Sequence, residues 1–151
     1  MMMKANVTVI ALIVVVAYLG SRCTSNKNRE HMQVVTSEDG TKIAYEKTGK
    51  GPAVILVGGA LASRLDHVKL AERLSENYTV YNYDRRGRGD SGDTKPYAVR
   101  REIEDIEALI DQAGGSAFVY GISSGACLAL EAASTLGGKI KKLAVYEAPY
   151  D

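Results

Sequence analysis

One stretch constrains this chain more than any other: Val119-Tyr120-Gly121-Ile122-Ser123-Ser124-Gly125. Residues 117–120 read as the end of a buried strand, and Gly-x-Ser-x-Gly then runs directly into the alanine-rich segment 124–136. A strand joined to a helix over so few residues must turn sharply. Glycine at 121 and 125 removes side chains that would collide with the neighbouring backbone. A turn of this kind holds its central serine in a strained conformation with the hydroxyl exposed, at a helix N-terminus that favours developing negative charge. Ser123 is therefore the candidate nucleophile. The bland alternative, a glycine-rich turn with a helix-capping serine, fits less well because a strand precedes the motif and a small-residue helix follows it. Ala126, Cys127, Ala129, Ala132 and Ala133 suit a helix pressed against a sheet, so Cys127 reads as a small buried hydrophobe rather than a second nucleophile.

Elsewhere the pattern alternates strands with helices. Asp39-Gly40 lies between two β-rich runs, Gln33 to Thr36 and Lys42 to Tyr45, which is a hairpin signal. Residues 53–57 form a continuous apolar run suited to a strand buried on both faces, ended by Gly58-Gly59-Ala60. Ser63 with Asp66 has the form of a capping box, and Leu65, Val68, Ala71 and Leu74 mark a helical face behind it. Residues 78–83 are the next strand. A helix over 97–113 carries Val99, Ile103, Ile106 and Ile110 on one face, with Gly114-Gly115 as its stop. Gly137-Gly138 ends the helix that leaves the serine turn, and Leu143 to Tyr146 is one more apolar strand. The expected fold class is α/β, a mostly parallel sheet with flanking helices.

Composition narrows the function. The 151 residues suffice for one domain, and 46% apolar with 25% charged residues is the composition of a globular chain. With 19 basic and 18 acidic residues there is no charge imbalance to recruit nucleic acid. The two cysteines, Cys23 and Cys127, make no disulfide framework. Gly87-Arg88-Gly89-Asp90-Ser91-Gly92 matches Gly-x-Gly-x-x-Gly, but Asp90, Asp93 and Pro96 stand where a phosphate-binding helix would open, so no dinucleotide cofactor and no metal is expected. Arg88-Gly89-Asp90 is too short a match to carry meaning. Arg85, Arg86 and Arg88 are read as structural ion pairs or solvated charges rather than an anion site.

The N-terminal segment has its own character. Residues 1–21 combine a basic start with an apolar run, Val7 to Leu19, that is shorter than the roughly 20 residues of a membrane span. They read as a signal peptide or a membrane anchor, with membrane association through residues 5–20 and an anchored or exported location. Positive residues on both flanks set no orientation. Arg22 stands where lipid attachment at Cys23 would require a small residue, so that thiol is read as an ordinary flanking residue. Residues 22–31 are a polar linker, and 32–151 the folded domain.

Three motifs in order resemble the α/β-hydrolase superfamily: the strand ending in Gly58-Gly59, the loop Asp84-Arg85-Arg86-Gly87-Arg88-Gly89-Asp90-Ser91, and the serine turn. The resemblance covers residues 32–150, and within the superfamily these motifs resemble small single-domain hydrolases and esterases. It implies Ser123 as nucleophile, backbone N–H groups of Ser124 and Ala60 as oxyanion donors, and a small-molecule acyl substrate such as an ester, amide, lactone or thioester.

The sequence departs from that pattern twice. Family members usually carry His-Gly after the third strand, where this chain has Gly58-Gly59. In the superfamily a catalytic acid and histidine follow the nucleophile in chain order. The histidines here are His31 and His67, both before Ser123 and both read as solvated or satisfied. Glu147 and Asp151 are acids after the serine, with no histidine to orient. The resemblance therefore implies an incomplete α/β-hydrolase domain lacking its C-terminal strands. The alternative is a catalytically inactive remnant or a binding module. In either case the strand 143–146 is expected to form an exposed apolar sheet edge open to association.

Overall fold

In a computed structural model of the chain, the structure describes residues 32–149. The N-terminal segment expected to act as signal or anchor lies outside the described residues. Among those described, no helix is long and apolar enough to cross a membrane.

Six strands form one sheet in the order β1-β2-β4-β3-β5-β6. They are β1 (Met32–Thr36), β2 (Lys42–Thr48), β3 (Ala53–Val57), β4 (Thr79–Tyr83), β5 (Ala117–Ile122) and β6 (Ile140–Tyr146). The hairpin expected at Asp39-Gly40 is present, with Gly40 at φ 85° and Ser37 N–H donating to the Thr41 carbonyl at 2.9 Å. β2 meets β4 antiparallel, and β4, β3, β5 and β6 then run parallel.

The helices are α1 (Val68–Leu74), α2 (Val99–Gln112) and α3 (Ser124–Leu136). Alternation along the strands assigns them to faces, because successive strand residues point to opposite sides of a sheet. Ile55, Val57, Tyr81, Tyr83 and Val119 pack with Ile103, Ile106, Leu109 and Ile110 of α2 and Leu128, Ala129 and Ala132 of α3. Val54, Leu56 and Val80 face the other way and pack with Leu70, Ala71 and Leu74 of α1. β3 thus feeds a helix on one face, and its neighbour β5 feeds a helix on the other. Where adjacent parallel strands send their chains to opposite faces, the connections diverge and leave a crevice at the carboxyl ends of the strands.

Several boundaries differ from the sequence reading, and two of them change which residues are placed inside. α1 begins only at Val68, after a 3-10 turn over Arg64–His67. Leu65, assigned to the apolar face, is half exposed, and Arg64 is the buried residue instead because Asp84 and Asn82 bind it from β4 and its end. β6 begins at Ile140 rather than 143, since Ala117 pairs with Ile140 across an irregular step and Phe118 with Lys142, whose Nζ lies 5.3 Å from the Phe118 ring centre.

Candidate functional site

The divergence of β3 and β5 brings together the loop after Val57 and the turn after Ile122. Ser123 is at the apex of that turn, exposed, at φ 54° and ψ −128°. Left-handed φ is costly for a residue with a Cβ. The surroundings impose it: Ser123 N–H donates to the Tyr146 carbonyl of β6 at 3.0 Å, while its own carbonyl already accepts the Ala126 N–H of α3 at 2.8 Å. The residue ends a strand ladder and starts a helix at once.

Both glycines of the motif are sterically required. A Cβ on Gly121 would lie 2.5 Å from the Gly125 carbonyl oxygen, and one on Gly125 would lie 2.4 Å from both the Val57 and Gly58 carbonyl oxygens. The first turn of α3 is therefore pressed onto the end of β3. On the other side of the crevice, a Cβ on Gly59 would meet the Ser123 Cβ at 3.6 Å, an ordinary contact. The Gly59 backbone is thus a direct neighbour of the serine. Ala60 follows in an exposed turn, which Ala62 N–H closes onto the Gly59 carbonyl at 3.4 Å. Ser124 opens α3 half buried, its Oγ accepting from Arg85 at 3.2 Å. Ser123, Ser124 and the Gly58–Ala60 loop, named separately from the sequence, converge on one end of the sheet.

Below them the glycine-rich loop after β4 is an ion network. Arg86 forks onto Asp105 with contacts of 2.8 and 2.7 Å and reaches Asp39 at 2.8 Å. Arg85 forks onto Glu102 at 2.5 and 2.6 Å. Asp84, fully buried, accepts from Arg64 N–H at 2.7 Å, from the Arg64 guanidinium and from Asp90 N–H at 3.0 Å. Gly89 is there to let that carboxylate in: a Cβ on it would lie 2.2 Å from Asp84 Oδ2. Burial pushes the Glu102 carboxyl up, but the hydrogen bonds and charge of Arg85 outweigh it and leave it below the usual range. The reading of Arg85 and Arg86 as structural ion pairs agrees with these contacts.

Two residues differ from their sequence readings. His67 is neither solvated nor satisfied: it is half buried, its Nε2 has no hydrogen-bond partner, and its ring fills the space beside Gly58, 2.9 Å from where a Cβ would stand. A glycine at 58 is what admits that ring. Cys127 is half buried rather than buried, its Sγ 3.7 Å from the Pro149 carbonyl, because its side of α3 faces the chain leaving β6. Glu147 is exposed just past β6 at φ 49°, so the carboxyl end of the sheet holds a second strained non-glycine residue. Sequence reasoning also missed the burial of Glu102 and Asp105. Their spacing of three residues beside Ile103 and Ile106 was the available signal, since it places the acids next to the apolar stripe.

A doubly wound sheet with a strained serine between strand and helix at its switch point defines the architecture of an α/β hydrolase. The chain belongs to the Alpha/beta hydrolase family, which it matches over residues 54–150. It is 37% identical over 98 residues to the uncharacterized hydrolase YraK of Bacillus subtilis, a match covering 61% of this chain and 35% of that protein. Among solved structures, an α/β hydrolase from Sphaerobacter thermophilus is 63% identical with a TM-score of 0.76, over 78% of this chain and 46% of that one. The esterase EaEST from Exiguobacterium antarcticum is 28% identical with a TM-score of 0.71, over 77% of this chain and 45% of the esterase. This chain thus spans less than half the length of these proteins.

Proposed function

We propose that the sequence is the N-terminal part of a serine hydrolase acting on an ester-like acyl substrate, with Ser123 as nucleophile. The conformation of Ser123 carries the proposal: an exposed hydroxyl held at left-handed φ on a helix N-terminus, beside a glycine backbone across the crevice. Ser123 Oγ attacks the substrate carbonyl. The N–H groups of Ser124 and Ala60 stabilise the tetrahedral oxyanion, the alcohol leaves, and water then releases the acyl group and regenerates the serine. A serine hydroxyl needs a general base to react at neutral pH. That base and its acid are proposed to come from chain following residue 151, a reading supported by the 35–46% of each relative that this chain spans. The esterase relative supports the ester class. Residues 5–20 are proposed to associate with a membrane, to be tested by sedimentation with lipid vesicles before and after deleting residues 1–21.

A second reading is a non-catalytic binding module, favoured by the position of both histidines before Ser123. A fluorophosphonate probe separates the two. Stoichiometric labelling of folded protein, abolished by Ser123→Ala, supports the nucleophile. Absence of labelling in the folded chain and in a version extended by its downstream coding sequence sinks it.

A further inference from the structure

We infer that Arg85 is a positioning residue that clamps the two walls of the crevice to one another, resting on the reading above of Gly58–Ala60 and Ser124 as the oxyanion segments. Arg85 follows Asp84 at the end of β4, is 6% exposed, and does not bond Ser123. Its Nε and Nη2 are committed to Glu102 of α2, itself held by Tyr97 Oη–H at 2.9 Å. Its Nη1 donates in two directions, to the Gly58 carbonyl at 3.1 Å and to Ser124 Oγ at 3.2 Å. A buried guanidinium with these donors committed has no free fork for a substrate anion. Glu102 neutralises its charge, so its contribution is geometric rather than a field on the reacting carbonyl.

The geometry it imposes is specific. Gly58-Gly59 has the weakest backbone preference of any dipeptide and can turn its peptide plane freely. In a planar trans peptide the C=O of one residue and the N–H of the next point in opposite directions. Holding the Gly58 carbonyl toward Nη1 therefore fixes the Gly59 N–H and the path of the chain into Ala60. Through the same nitrogen, Ser124 at the start of α3 is tied to the Gly58 carbonyl. One side chain thus couples the donors contributed by β3 to those contributed by the serine turn.

The test is amide hydrogen exchange on the 151-residue chain, comparing residues 58–62 with the strand amides of β3 and β5. In Arg85→Lys, which cannot fork onto Glu102 and also reach both partners, exchange at 58–62 is expected to rise about tenfold, the loss of a charge-assisted hydrogen bond. The strand amides should stay unchanged. Ser124→Ala, which leaves the Arg85–Glu102 ion pair intact and removes one of the two acceptors of Nη1, should also accelerate exchange at 58–62. An unchanged loop in both variants overturns the clamp, as does acceleration spread evenly over the strands. Labelling of Ser123 is read on the same samples. A loosened loop without labelling in the parent or in the version extended by its downstream coding sequence keeps the clamp and counts against the nucleophile; labelling that is insensitive to Arg85→Lys, with an unmoved loop, does the reverse.

Discussion

Ser123 carries a backbone conformation that costs about 1–3 kcal/mol in a residue with a Cβ. Glycine would escape that cost but lose more chain entropy on folding, about 0.5–1 kcal/mol. Strain is the larger effect, so Ser123→Gly should be about 1 kcal/mol more stable than Ser123→Ala, measured by urea unfolding. Equal stabilities would mean that the turn is relaxed. Asp39 makes a pH-dependent case. Its carboxyl is held well below the usual range, first by the hydrogen bond from Arg86 and then by Thr41. A depressed folded value stabilises fully above the unfolded value of about 3.9 and is lost as pH falls through the folded one. Asp39→Asn should therefore cost about 1 kcal/mol near neutral pH. Its unfolding midpoint should converge with that of the parent as the pH drops below about 4. Asp105 has the opposite sign: burial raises it despite Arg86, so its ionisation opposes folding as pH rises and cannot produce that acid limb. Individual charges were the part of the chain hardest to read in advance. Arg85, Arg86 and Glu102 look like surface residues by type, and only their partners make burial affordable.

Strands and helices were legible because hydrophobic period reports directly on which faces are covered. The 53–57 run, the Asp39-Gly40 hairpin, the apolar stripe of α2 and the strand-to-helix turn at Ser123 were all visible in this way. The start of α1 was not, because Arg64 replaces Leu65 inside for reasons that lie on β4. Close approach of elements makes a sharp prediction about glycine. Gly125→Ala would drive a Cβ into two carbonyl oxygens of β3 and its loop, and should cost about 3 kcal/mol or yield no folded protein. Gly138→Ala, with open space around it, should stay within about 0.5 kcal/mol of the parent. Denaturant midpoints of the pair compare them. A mild effect at Gly125 would show that α3 can lift from β3.

For the molecule as a whole, the consequential surface is β6. Among the described residues it ends the sheet, with Val145 43% and Tyr146 52% exposed, whereas Lys141 and Lys142 place charge on its first half. An apolar strand at a sheet edge offers unpaired backbone groups to another chain. The 151-residue polypeptide should accordingly self-associate in a concentration-dependent manner by sedimentation velocity. Val145→Lys should shift it toward monomer while leaving the far-UV spectrum unchanged. A parent that stays monomeric at high concentration would show that the two lysines protect the edge.

The sequence by itself determined the alternation of strands and helices, the serine turn and the family, because period, turn chemistry and steric demand for glycine act over a few neighbouring residues. The tertiary structure alone decided which charges are inside and what they hold. Arg85 meets Glu102 across 17 residues of chain and Ser124 across 39, and His67 meets Gly58 around a turn and a loop. Such pairings depend on where the sheet places β4 between β2 and β3, and no local pattern records that.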